Sequence, residues 1–151
     1  MADVALTAAN ISPVNETQPE ISTMIAAAAI TAGQLVYQDT NGKADLAQAD
    51  DTATIQTVRG IALNAAAAGR PVNVLERGSV YGFTLTSIDP GTQIFASAAT
   101  AGAVANAAAT GAGNFVVPIG EVRSIFEGGT GVKVLRVAIN EAHVAYVALS
   151  S

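Results

Sequence analysis

The chain has 151 residues, a length that fits one domain with a real hydrophobic core. Its net charge of −5 and its scattered Lys and Arg residues disfavour a nucleic-acid interface, because phosphate backbones need clustered basic side chains. The absence of cysteine excludes disulfides, thiolate metal sites and a cysteine nucleophile. The longest apolar run, Met24 to Ile30, has seven residues, whereas a membrane-spanning helix needs about 20.

The apolar residues of this chain are mostly small. Half of the residues are hydrophobic, but 32 of them are alanines and aromatic residues make up only 5 %. Each buried alanine removes little area from water, so a single copy gains modest stability from its core. Burial between copies would add to it, and the composition therefore favours a homo-oligomer.

The first 22 residues differ from the rest of the chain. They are polar and contain Pro13 and Pro19, which disfavour a helix. We predict an extended N-terminal arm over Met1 to Ser22, with a short strand at Val4 to Thr7; a frayed terminus is the alternative. Asp3 and the lack of a basic start argue against a secretory signal.

From Thr23 onward, short apolar runs alternate with glycine-centred turns. Asp39-Thr40-Asn41-Gly42 predicts a hairpin turn, and Glu76-Arg77-Gly78 predicts a break between two strands. Short strands at spacings of about 8–12 residues predict a mainly β, single compact barrel-like domain over residues 23–151. The predicted strands are 23–29, 34–38, 43–47, 58–63, 71–75, 79–85, 93–96, 115–119, 122–126, 132–139 and 142–149.

Two alanine-rich stretches are ambiguous between helix and loop. Asn64 to Gly69 predicts one helical turn, capped by Asn64 and closed by Gly69. Ala98 to Gly113 is rich in alanine, the best helix former, but three glycines interrupt it. We predict a compact surface loop there, with a helical turn near Ala103 to Ala109.

The sequence offers no convincing catalytic, cofactor or metal site. His143 is the one histidine, and no GxSxG motif or HExxH motif accompanies it. Asp50-Asp51 fits a solvated loop better than a cation site. The glycines of Gly128 to Gly131 fit a hairpin turn and do not match a phosphate-binding loop. The main aromatic residues are predicted core or interface anchors: Tyr37, Tyr81, Phe83, Phe95, Phe115 and Phe126.

Four segments carry a resemblance to a known family. They are ITAGQLVY (Ile30 to Tyr37), RGIALNAAAAG (Arg59 to Gly69), RPVNVLERGSV (Arg70 to Val80) and VPIGEV (Val117 to Val122). In order and spacing they resemble the small capsid cement, or head decoration, proteins of tailed bacteriophages. The resemblance implies a β-tulip-type fold and a homotrimer on three-fold or quasi-three-fold positions of the expanded head. It also implies a structural protein of the outer virion surface, made in the bacterial cytoplasm, with the major capsid protein as partner.

The resemblance suggests a use for the N-terminal arm. An extended arm can add a strand to an exposed sheet edge of the major capsid protein. The candidate capsid-binding residues are Val4, Leu6, Ile11, Val14 and Ile21. On this hypothesis, deleting Met1 to Ser22 weakens capsid binding and leaves the body folded.

Two other interpretations remain open. One is a different virion structural or binding module, such as a tail or fibre accessory domain or a carbohydrate-binding domain that uses Tyr37 or Tyr81. The other, which we favour least, is a small enzyme using His143 or the Asp50-Asp51 pair. We expect no enzyme activity, no cofactor, no nucleic acid and no membrane among the functions of this chain.

Overall fold

The structure is a computed structural model, and it describes residues 3–14, 19–50, 57–127 and 130–139. Within these residues the protein is mainly β, with ten strands in one curled antiparallel sheet that forms a half-barrel. This confirms the predicted fold class. The described part has one short 3-10 turn, η1 (Ala8–Asn10), and no α-helix. The strands are β1 (Ser12–Pro13), β2 (Glu20–Ile25), β3 (Leu35–Gln38), β4 (Ala44–Leu46), β5 (Val58–Ala62), β6 (Pro71–Tyr81), β7 (Gln93–Ala96), β8 (Val104–Ala105), β9 (Pro118–Glu127) and β10 (Thr130–Ala138).

The long strand β6 organises the sheet. The strand order is β4-β3-β5-β6-β10-β9-β7-β8, and β1 and β2 also pair with β6. Leu75 pairs with Ile61 of β5 and with Ile21 of β2. Since a strand has two edges, β5 and β10 follow one edge of β6, while β1 and β2 follow the other.

The prediction of a break at Glu76-Arg77-Gly78 is wrong, because β6 runs through this segment without a turn. Gly78 has a φ of +137°, a conformation that favours glycine. The β2–β6 pairing has a register shift just before it, since Glu20 pairs with Arg77 but Ile21 pairs with Leu75. In this segment β6 exchanges its partner β5 for β10, so the strand continues with a new neighbour.

The N-terminal arm is extended, as predicted, but it lies against the body along most of its described length. Ser12 pairs with Tyr81, and Leu6 and Asp3 form isolated bridges with Phe83 and Ala105. The predicted strand at Val4 to Thr7 is limited to such bridges. Residue 22 lies inside β2, so one continuous strand joins the predicted arm to the predicted body.

Two clusters of buried apolar residues form the core of the described part. The larger cluster gathers side chains from β3, β6, β7, β9 and β10 and includes Leu35, Leu75, Ile94, Ile119 and Leu135, all within 1 % of full burial. The smaller cluster lies under β2, β3, β5 and the start of β6. Its members are Ala26, Ile30, Val36, Ala44, Ala62, Ala66, Val72 and Val74.

The hairpin predictions are confirmed. β3 pairs with β4 around the Asp39 to Gly42 turn, where Asp39 Oδ1 accepts the N–H groups of Asn41 and Lys43 at 2.9 Å each. β9 pairs with β10 up to Glu127 and Thr130. The predicted strands 115–119 and 122–126 are in fact one strand, β9, which begins at Pro118.

The helical turns predicted in the two alanine-rich stretches, residues 64–69 and 98–113, are wrong. The Asn64 side chain caps no helix: its Oδ1 accepts the N–H of Asn73 at 2.7 Å, and its Nδ2 donates to Pro71. Residues 98–113 form a loop, as predicted, but it contains the short strand β8 in place of a helical turn. Tertiary hydrogen bonds thus override the alanine propensity. The predicted strand 142–149 lies outside the described residues.

Candidate interaction surface

The structure places the predicted capsid-binding residues in two different environments. Val4, Ile11 and Val14 are buried, with 7–8 % of each exposed, and the first two belong to the larger core cluster. Leu6 is half-buried and packs against the same cluster. Ile21 is 44 % exposed. Four of the five side chains therefore pack within this protein's own body, and Ile21 alone is exposed.

This burial also corrects the expected effect of deleting the arm. Val14 donates its N–H to the carbonyl of Ser79 at 2.8 Å, and Val4 donates to Val104 at 2.8 Å. Ser97, which is fully buried, donates its hydroxyl to Asp3 Oδ1 at 2.6 Å. Deleting Met1 to Ser22 would remove core side chains and these hydrogen bonds, so we no longer expect it to leave the body folded.

The outer face of β2 carries the exposed apolar side chains. Ile21 and Ile25 are 44 % and 42 % exposed, and they are the large hydrophobic residues exposed in the described part of the chain. Thr23 lies between them on the same face, and its hydroxyl donates to Asn73 Oδ1 at 2.9 Å. No charged residue occurs from Ile21 to Gln38. The exposed side chains of Ile21, Thr23 and Ile25, together with the strand edge at these residues that faces away from β6, are here termed the β2 edge.

The backbone at the end of β2 shows which way its hydrogen-bonding groups point. Ala26 donates its N–H to Arg70 at 2.9 Å and accepts the N–H of Gly69 at 2.8 Å, so it faces β6. The next residue, Ala27, faces the opposite way, because its N–H donates to Ala44 at 2.8 Å. β4 therefore occupies this side of the chain at Ala27.

Backbone groups alternate in direction along an extended strand. The N–H and C=O groups of Ile21, Thr23 and Ile25 consequently point away from β6, to the side that Ala27 presents to β4. Among the described residues, no strand pairs with this side of β2 from Ile21 to Thr23. At Ile21 and Thr23, the β2 edge thus combines exposed side chains with backbone groups that pair with no strand in the part of the chain that the structure describes.

Polar side chains from β7, β9 and β10 line a groove in the described part of the chain. Arg136, Glu121 and Gln93 line it from three neighbouring strands, together with Arg123. Arg123 donates to Glu121 Oε1 through Nη2 at 2.9 Å and through Nε at 3.0 Å. Both side chains are at least 40 % exposed, so this ion pair contributes little to stability.

The residues considered for chemistry are not assembled into a site by the described structure. Asp50 is exposed at the end of a turn, whereas Asp51 and His143 lie outside the described residues. The part of the chain that the structure describes contains no group of three or more potential metal ligands. It also contains no helix of the length and hydropathy required to cross a membrane.

The aromatic side chains support the core more than a binding platform. Phe83 and Phe115 are buried in the larger cluster, and Tyr37 packs against it half-buried. Tyr81 and Phe95 are also half-buried. The described tyrosines therefore do not form the exposed, stacked surface that a sugar-binding domain would use.

No protein-family model matches the chain, and no curated protein sequence is significantly similar to it.

Sequence reasoning identified Ile21 but missed the edge to which it belongs. The signal was present in ISTMI, where Ile21, Thr23 and Ile25 alternate with Ser22 and Met24. Such alternation predicts that one face is buried and one is exposed, but it does not reveal which neighbours the strand acquires.

Proposed function

We propose that this protein is a structural, non-catalytic capsid decoration protein. It binds the outer surface of the expanded head of a tailed phage through the major capsid protein and stabilises the shell. Following the resemblance, the assembled unit is a homotrimer on three-fold or quasi-three-fold positions. The protein is made in the bacterial cytoplasm and ends on the virion surface.

The observation that carries this proposal is where the resembling segments lie. Ile30 to Tyr37 contains most of β3, Arg59 to Gly69 contains most of β5, and Arg70 to Val80 contains most of β6. β3, β5 and β6 are adjacent in the sheet, and these segments supply six members of the smaller core cluster. Three of the four resembling segments therefore fall on one contiguous structural unit, and the fourth, Val117 to Val122, lies at the start of β9.

The physical character of the body suits this role. A cement protein needs a rigid body that repeats many weak contacts across a shell, and multivalency then raises the barrier to rupture. In the described part, the N-terminal arm is fastened to both halves of the sheet, at Ala105 of β8 and along β6. Such fastening makes the body resistant to local opening.

The test is co-sedimentation with expanded capsid shells that lack the protein, followed by heating of those shells. We expect saturable binding at three copies per three-fold site and a higher rupture temperature. Unexpanded shells are the matched control, because the proposal places the binding surface on the expanded lattice.

The opposite results are equally informative. Absence of binding to any shell would refute the decoration proposal and direct attention to tail, fibre or glycan recognition. Equal binding to expanded and unexpanded shells would refute the part of the proposal that concerns the expanded head.

A further inference from the structure

We propose that Asn41, in the turn between β3 and β4, is a site of spontaneous deamidation whose rate Asp39 restrains. Its isoaspartyl product loosens the pairing of β4 with β3. The modification needs water as its co-reactant and no enzyme. The inference rests on the hairpin alone and does not depend on capsid binding.

The neighbour of Asn41 leaves room for the reaction. Asn41 is the one asparagine of the sequence that a glycine follows, and both residues are exposed. Apart from the adjoining residues, a Cβ atom built on Gly42 would meet only Gln38 Nε2, at 3.6 Å. Glycine itself carries no Cβ atom, so the Gly42 nitrogen is open to close approach by the Asn41 side chain.

The side chain of Asn41 differs from those of other asparagines in its freedom to turn. Among the described residues, its amide group has no hydrogen-bond partner. By contrast, Asn64 Nδ2 donates to the carbonyl of Pro71 at 3.3 Å. Asn114 Nδ2 donates to the carbonyl of Thr110 at 2.7 Å. The side chain of Asn41 can therefore rotate towards the next backbone nitrogen without giving up such a bond.

The reaction is a ring closure followed by hydrolysis. The backbone nitrogen of Gly42 attacks Cγ of Asn41, so that a Cγ–N bond forms and the Cγ–Nδ2 bond breaks. The electron pair of the broken bond stays on Nδ2, which takes up the proton from the Gly42 nitrogen and leaves as ammonia. Water then opens the succinimide ring. Attack of water at Cγ gives aspartate, whereas attack at the main-chain carbonyl carbon gives isoaspartate, and both products add one negative charge.

The turn restrains the reaction, because it holds the attacking nitrogen. Gly42 donates its N–H to the carbonyl of Asp39 at 3.0 Å. Asp39 Oδ1 accepts the N–H groups of Asn41 and Lys43 at 2.9 Å each, and so keeps the turn closed. The attack requires the Gly42 nitrogen to leave the carbonyl and lose its proton, and the adjacent carboxylate disfavours negative charge there. Removing the Asp39 carboxylate should therefore accelerate deamidation.

The isoaspartyl product changes the length of the turn. Its main chain runs through Cβ and Cγ of residue 41, which inserts one extra carbon atom. The N–H of Asp39 donates to the carbonyl of Lys43 at 2.8 Å, and this closure depends on the length of the turn. In the described sheet β4 pairs with β3, and Ala44 of β4 also accepts the N–H of Ala27 at 2.8 Å. Loosening the hairpin therefore weakens the hydrogen bond to Ala27 as well.

The first test follows the full chain during incubation at fixed pH and temperature. Mass spectrometry of its peptides measures the replacement of amide by carboxylate at each asparagine. We expect Asn41 to convert at least about tenfold faster than Asn106, because Ala107 hinders the same approach there. Gly42→Ala should slow the conversion of Asn41 by a similar factor, since the added Cβ shields the nitrogen. Asp39→Ala should accelerate it by at least about threefold.

The second test isolates the effect of the extra carbon atom. The isoaspartyl form is separated from the incubated protein and compared with Asn41→Asp, which adds the same charge at unchanged chain length. The amide of Ala27 should exchange hydrogen at least about fivefold faster in the isoaspartyl form. The amide of Ala26 donates to Arg70 at 2.9 Å, on the side of β6, and should exchange equally in both proteins.

Each part of the inference can fail separately. Conversion of Asn41 no faster than that of Asn106 would refute the assigned site, and this comparison needs no variant. An Asp39→Ala variant that converts no faster than the unmodified protein would refute the restraint by Asp39. Equal exchange of the Ala27 amide in the isoaspartyl form and in Asn41→Asp would refute the loosening of β4. These measurements involve no capsid, so their failure is distinguishable from failure of the decoration proposal.

Discussion

Truncating Ile11 and Ile21 separately tests whether the N-terminal arm is part of the body. Both residues are isoleucines of the same predicted arm, so Ile11→Ala and Ile21→Ala delete the same three carbon atoms. Ile11 is 8 % exposed and belongs to the larger core cluster, whereas Ile21 is 44 % exposed on the β2 edge. A free arm would make both substitutions nearly neutral.

The contacts of Ile11 determine the expected cost. A Cβ atom built on Gly82 would lie 2.6 Å from Ile11 Cδ1, and one on Gly33 would lie 3.1 Å from the same atom. The side chain therefore packs directly onto two glycine backbones. Three buried carbons correspond to about 2.4 kcal/mol of transfer free energy at ~0.8 kcal/mol each, and the cavity left behind raises the loss to about 3–4 kcal/mol.

For Ile21 we expect a loss of about 1 kcal/mol, because roughly half of the side chain is already in water and no closed cavity forms. The assay is urea unfolding followed by circular dichroism, with all proteins at one concentration so that self-association does not bias the comparison. The Ile11→Ala variant should also melt roughly 6–16 °C lower. Equal losses of unfolding free energy for the two variants would refute the conclusion that the arm is built into the core.

Three further predictions concern the free energy of unfolding, measured in the same way. Gly120→Ala should cost more than about 3 kcal/mol or prevent folding, because its Cβ would overlap the carbonyl oxygen of Arg136 across β9 and β10. Gly69→Ala, with open space but a φ of +84°, should cost only about 1 kcal/mol, and an equal cost for both would contradict this reasoning. Ser79→Ala should be neutral or stabilising, because the buried Ser79 Oγ has no hydrogen-bond partner among the described residues; a loss above about 1 kcal/mol would refute this expectation. Asn64→Ala should cost about 1–2 kcal/mol, since it leaves the Asn73 N–H without its acceptor, whereas Asn41→Ala in the exposed hairpin turn should cost less.

Local sequence determined the strands that depend on neighbours close in the chain. Asn41-Gly42 specifies the β3–β4 hairpin because glycine adopts the positive φ that this turn requires, here +78°. The period-two pattern of Val132 to Ile139 specifies β10 for a similar reason, since alternation places Leu135 and Val137 on the core face. The mainly β class follows from such short-range signals.

Only the tertiary structure determined which strands pair with one another. Glu76-Arg77-Gly78 predicts a turn, yet β6 continues through it because β2 and β10 pair with this segment from its two edges. The polar, proline-containing segment Met1 to Ser22 predicts an arm separate from the body. Val4, Ile11 and Val14 are nevertheless buried, because this segment pairs with strands of the sheet. The β2 edge is a second example. The sequence shows that Ile21 and Ile25 lie in an uncharged stretch, but only the tertiary structure shows that β4 pairs with the chain at Ala27 and so limits the open side of β2. Strand pairing joins residues about 50 positions apart, as in Thr23 and Asn73, and a local pattern carries no information about that choice.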